Sequence, residues 1–87
     1  MPKFLYSIEQ YAFYDCPKLI GVDLPDSLHI IEERAFYGCK STSDLIIPEN
    51  CQSIGNYAFL DCDSLYTVMI NGENTSFGIK SVGYEYD

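Results

Sequence analysis

The chain has no tryptophan, one histidine and few basic residues, and each scarcity narrows its possible functions. Lysine and arginine supply 5 of the 87 residues, aspartate and glutamate supply 13, and the formal net charge is −8. Nucleic-acid phosphates and anionic membrane surfaces are bound by clustered cations. We therefore expect neither as a partner. The acidity is explained by colloidal solubility, with a specific cationic partner as the alternative.

Long apolar runs and targeting signals are also missing. No run approaches the roughly 18 residues of a membrane span, and neither terminus carries a hydrophobic signal region or a known anchor. We expect no membrane insertion. The chain is either cytoplasmic or a piece of a longer exported protein, and Pro2, one period before Pro25, favours the second interpretation.

Motifs for catalysis, metals and cofactors do not occur. The sequence has no glycine-rich phosphate loop, nucleophile elbow or paired-histidine motif. His29 has no catalytic partner at a fixed spacing, so we interpret it as a surface residue. The four cysteines form no Cys-x-x-Cys pair of the kind that binds zinc. We predict no enzyme activity, no metal and no cofactor.

What the chain does contain is one phrase repeated three times. It runs over 8–16, 31–39 and 54–62, with Ala-Phe-x-x-Cys at its centre, and each copy follows the last by 23 residues. A fixed period of this length indicates a solenoid, because no single repeat can bury its apolar face alone. The unit is too short for two helices. It predicts one short strand and one short helical turn.

The middle repeat shows where each element is expected. Residues 32–37 are predicted as a helical turn, with Ile31, Ala35 and Cys39 on one face at i, i+4 and i+8. Parallel strands are predicted at 22–24, 45–47 and 68–70, with alternate residues facing the core. The inward residues are then Val22, Leu24, Leu45, Ile47, Val68 and Ile70.

The repeated pattern resembles the BspA-type leucine-rich repeat, also called the Treponema pallidum class. The resemblance implies an α/β solenoid with parallel strands on its concave side, helical turns on the other, and a place among surface proteins that act in adhesion. One domain, 1–87, would hold repeats at about 1–23, 24–46 and 47–69. A C-terminal cap or truncated repeat would occupy 70–87. Departures are Thr42 in a leucine column and Cys51 in a valine column.

The cysteines at 16, 39 and 62 share one column, so their side chains run parallel one repeat apart. A disulfide needs Cβ atoms about 3.5–4.5 Å apart and converging. We therefore expect free buried thiols that pack as small apolar groups.

The predicted function is protein–protein interaction or adhesion within a larger surface protein. The alternative is a structural spacer or self-assembling unit without a specific ligand. Outward strand positions are the natural contact residues, and an exposed tyrosine column supplies further candidates, although neighbouring rings may instead stack on each other. The candidate contact residues are Gly21, Asp23, Asp44, Ile46, Thr67, Met69, Tyr14 and Tyr37.

The ends of a solenoid expose the apolar face that inner repeats bury. Phe4, Leu5 and Ile8 have little sequence before them to cover the stack, whereas the tail from Phe77 to Asp87 could shield the other end. We therefore expect self-association as a homo-oligomer through the N-terminal end.

Overall fold

The computed structural model describes residues 4–81 and contains six short strands and no helix in that range. The strands are β1 (Ser7–Ile8), β2 (Ile30–Ile31), β3 (Asp44–Ile47), β4 (Ser53–Ile54), β5 (Thr67–Ile70) and β6 (Ser76–Phe77). They form two parallel sheets, one ordered β1-β2-β4-β6 and the other β3-β5.

Every strand pair follows the sequence period. Ser7 pairs with Ile30, Ile30 with Ser53 and Ser53 with Ser76, so each step along the larger sheet is 23 residues. Asp44 pairs with Thr67 in the smaller sheet at the same offset. We refer to 4–23, 24–46, 47–69 and 70–81 as layers 1 to 4. The predicted repeat fold with parallel strands is confirmed.

The helical turn predicted over 32–37 is wrong. Arg34 and Gly38 have φ angles of 55° and 75°, which a right-handed helix does not allow. Their amides donate to the carbonyls of Asn56 and Leu60 in layer 3, and the amides between them close turns inside layer 2. Because the donors alternate between two layers, a helical hydrogen-bond ladder cannot form. Positive φ recurs in these columns at Tyr11, Tyr57, Asp15 and Asp61.

The core lies between the layers and is centred on three phenylalanine rings. Phe13 stacks on Phe36 with centroids 5.0 Å apart, and Phe36 stacks on Phe59 at 4.9 Å. Phe36 and Phe59 are fully buried, whereas Phe13 in the first layer is only partly buried. The predicted column of phenylalanines therefore packs in line.

Polar side chains also join the layers. The hydroxyl of buried Thr42 donates to the carbonyl of Leu19 at 2.7 Å, which explains a threonine in the leucine column. Thr75 donates in the same way to the carbonyl of Cys51 at 2.8 Å. Among the described residues, no buried side-chain nitrogen or oxygen lacks a hydrogen-bond partner.

The strand prediction holds for two of its three segments. Residues 45–47 and 68–70 lie in β3 and β5, but 22–24 is not a strand. Leu45 and Ile47 point into the core as expected, while Val22, Leu24 and Val68 pack against it with partial exposure. The inward assignment of Ile70 is wrong, since 43% of the residue is exposed on the terminal strand.

Layer 4 keeps the repeat geometry after the repeated phrase has disappeared. The amide of Gly78 donates to the carbonyl of Ile54, and Ser81 is buried in the column of Ala35 and Ala58. Residues 70–81 of the predicted cap thus continue the stack. The remainder of that cap, 82–87, lies outside the described residues.

Candidate functional site

The outer face of the smaller sheet carries four of the candidate residues. β3 alternates strictly between exposed and buried positions, which places Asp44 and Ile46 outward. In β5 their register partners are Thr67 and Met69, both exposed. Ile46 and Met69 are each 55% exposed and lie directly beside one another. We call these four residues the strand face.

The first layer does not extend the strand face as a strand. Gly21 and Asp23 are exposed and lie in the columns of Asp44 and Ile46, but the segment that holds them is irregular. Both residues line an apolar cleft of about 530 Å³ at the N-terminal end of the stack. The structure therefore associates them with the end of the stack.

The tyrosine candidates form a separate cluster on the turns. Tyr14 stacks on Tyr37 with ring centroids 5.2 Å apart, and Tyr11 meets Tyr14 edge to face at 5.3 Å. The carboxylate of Asp61 and its hydrogen bond with Tyr37 raise the pKa of that tyrosine. These contacts use the ring faces between layers, which favours a structural role for Tyr14 and Tyr37.

Other paired side chains follow the 23-residue offset but were not singled out from the sequence. Tyr6 stacks on His29 with centroids 4.5 Å apart, and the Arg34 guanidinium lies 4.7 Å from the ring centre of Tyr57. The His29 ring, interpreted from the sequence as a surface residue, is half-buried, and its Nδ1 is 2.7 Å from the carbonyl of Ser27. The period itself is the signal that identifies such pairs.

Charge on the described surface is largely unpaired acid. Two ion pairs occur within 4–81: Arg34 with Glu33, and Lys40 with Asp63 at 3.2 Å. Glu9 lies next to Glu32 in the adjoining layer, and the hydrogen bond between the two carboxyls raises the pKa of Glu32. An acidic surface of this kind suits a partner that brings cations to its contact.

The cysteines lie in the core as free thiols. Cys39 donates to the carbonyl of Phe13 and Cys62 to that of Phe36, both at 3.3 Å. Burial and the hydrogen bond with Cys39 raise the pKa of Cys62, and burial also raises that of Cys51. These thiols act as packing groups and donors between layers.

Two further chemistries were searched in the described part of the chain. Within 4–81, no group of three or more His, Cys, Asp or Glu residues is arranged to hold a metal ion. The same residues contain no helix with the length and apolarity of a membrane span.

These features define a repeat protein whose 23-residue layers are joined by parallel strands and stacked rings. Residues 1–84 match the BspA type leucine-rich repeat region (6 copies), and the chain belongs to this family. Its fold is similar to the crystal structure of the T. pallidum leucine-rich repeat protein, with a TM-score of 0.73 and 27% sequence identity over 92% of this chain. The chain spans 48% of that protein. No curated protein matches the sequence at a significant level.

Proposed function

We propose that the chain is a binding module that holds another protein on the strand face. The observation that carries the proposal is the register of Ile46 with Met69, which sets two exposed apolar side chains side by side on an acidic protein. Adjacent exposed apolar groups often mark contact surfaces, whereas single ones do not. β3 and β5 hold both residues on a hydrogen-bonded backbone, so the surface is formed before a partner arrives.

The chemistry of the strand face indicates what it would bind. Ile46 and Met69 offer an apolar centre, and methionine adapts to differently shaped partners. Asp44 lies on the same face and can pair with a lysine or arginine at the edge of the contact. The expected partner surface therefore combines an aliphatic or aromatic anchor with a nearby cation.

We extend the proposal to adhesion and to a location on the cell surface. Family membership supports both, since the resemblance noted from the sequence implies surface proteins of that kind. The competing hypothesis is a structural spacer whose surface binds nothing. Catalysis receives no support from the repeat pattern, so we propose a binding role without enzyme activity.

A binding survey with matched variants tests the proposal. The chain would be immobilised and exposed to a panel of purified extracellular-matrix and cell-surface proteins, beside Ile46→Asp and Ile79→Asp. Ile79 is 56% exposed and lies in layer 4 outside the strand face, so it controls for the loss of an exposed isoleucine. We expect Ile46→Asp to weaken binding at least tenfold and Ile79→Asp to leave it unchanged.

Two results would contradict this proposal. Equal binding by wild type and Ile46→Asp would remove the strand face as the contact surface. No binding to any protein on the panel would favour the spacer hypothesis. Circular dichroism should show the same spectrum for all three proteins, so that any loss reports the surface and not unfolding.

A further inference from the structure

The two ends of the stack expose columns that the inner layers bury. At the N-terminal end, Ala12 is exposed, whereas Ala35 and Ala58 in the same column are fully buried. The difference arises because Ala12 has no described layer before it. Around Ala12 lies the apolar cleft of about 530 Å³, whose walls include Leu5, Ile8, Phe13 and Leu19.

The opposite end shows the complementary pattern. Ile31 and Ile54 are at most 1% exposed, and Ile8 is buried although it lies in the first layer. Phe77, the fourth member of this column, is 42% exposed because no described layer follows it. Ile70 differs from buried Ile47 for the same reason. Each end therefore lacks the neighbour that the other end resembles.

Backbone hydrogen bonds give the two ends matching polar groups. The amides of Glu32, Gly55 and Gly78 donate to the preceding layer, at the carbonyls of Ile8, Ile31 and Ile54. Within 4–81, the amide of Glu9 has no such acceptor and the carbonyl of Phe77 has no such donor. A donor row is therefore open at one end and an acceptor row at the other.

We propose that a second copy of this chain stacks head to tail, with its C-terminal end on the N-terminal end of the first. The contact would repeat the one already made between layers: Phe77 of one copy would cover the cleft beside Ala12 of the other. Such a contact uses two different surfaces, so it does not close on itself and adds further copies in a line. The proposal does not depend on the strand face.

Light scattering on the 87-residue chain over a hundredfold concentration range tests the stacking. High salt is included because it screens the repulsion between chains of charge −8. We expect the wild-type mass to rise with concentration. Ala12→Lys and Phe77→Lys should each remain monomeric, since each blocks one end, whereas Ile46→Lys on the strand face should behave as wild type.

Mixing the two blocked variants distinguishes head-to-tail stacking from other assemblies. Ala12→Lys keeps its C-terminal end and Phe77→Lys keeps its N-terminal end, so an equal mixture should form a 1:1 dimer that grows no further. Continued self-association of Phe77→Lys alone would show that two N-terminal ends pair, and would overturn the proposal. A wild-type chain that stays monomeric throughout would overturn it as well.

The variants must fold for this comparison to be valid. Ala12 is exposed and Phe77 is substantially exposed, so neither lysine enters a packed core. Circular dichroism melts would verify this. If Phe77→Lys melts early, Ile70→Lys replaces it at the same end, with the same expected loss of self-association.

Discussion

Layers 1 and 2 carry the same Ala-Phe-x-x-Cys phrase in different surroundings. In layer 2, Ala35, Phe36 and Cys39 are completely buried between two neighbouring layers. In layer 1, Ala12 is exposed and Phe13 is only partly covered. Identical residues thus differ in burial because stability in a repeat protein comes from contacts with both neighbours. The contribution of a side chain depends on its layer as much as on its type.

The largest expected effect compares the same truncation in the two layers. Phe36→Ala removes a ring stacked on both sides and should lower the free energy of unfolding by about 3–5 kcal/mol. Phe13→Ala removes a ring stacked on one side, and we expect about 1–2 kcal/mol in proportion to its partial burial. Urea denaturation measures both. Equal losses would show that the first layer is covered as well as the second.

A smaller effect is expected from adding one methyl group. A Cβ on Gly55 would lie 2.5 Å from the amide nitrogen of Glu33 in the preceding layer, so Gly55→Ala must push two layers apart. Overpacking of this kind costs about 1–3 kcal/mol. A Cβ on Gly21 in layer 1 meets nothing within 4 Å, and Gly21→Ala should be nearly neutral. Thermal melts that rank the two variants in the opposite order would contradict this packing.

The buried hydroxyl gives a third comparison. Thr42→Val keeps the shape of the side chain but removes the donor to the carbonyl of Leu19, at an expected cost of about 1 kcal/mol. Thr67→Val makes the same change on the exposed strand face and should alter stability by less than about 0.5 kcal/mol. Urea midpoints that move equally would mean that the hydrogen bond contributes nothing.

The smallest effect depends on pH. The folded protein raises the pKa of Glu32 through its hydrogen bond with Glu9, so the charged form of Glu32 is disfavoured relative to the unfolded chain. Glu32→Gln should therefore stabilise the protein at pH 7. The gain should shrink as the pH falls through the raised pKa, and vanish below the ordinary value of 4.5, where glutamate is protonated in both states.

Melting temperatures measured from pH 3.5 to 7.5 would follow this change. Glu49→Gln removes another exposed carboxylate and controls for the reduced net charge. A gain from Glu32→Gln that persisted unchanged at the acidic end would point to a cause other than the pair of carboxyls.

The candidate site was only partly predictable from the sequence. The outward positions of Asp44, Ile46, Thr67 and Met69 follow from strand alternation, because successive side chains point to opposite faces. The same pattern misplaced Ile70, since alternation says nothing about whether another layer covers a strand. The stacking of Tyr6 on His29 could have been found from their offset of 23 residues, which brings equivalent positions together.

The sequence by itself determined the period, the family and the residues that stack, because a fixed spacing in a repeat protein converts directly into contacts between neighbouring layers. Tertiary structure decided the backbone of the turns. Arg34 and Gly38 donate to layer 3 instead of to their own layer, and the resulting positive φ angles replace a helix with consecutive turns. It also decided which members of each column are buried. That outcome depends on the presence of a layer on either side, which the identity of a single residue does not encode.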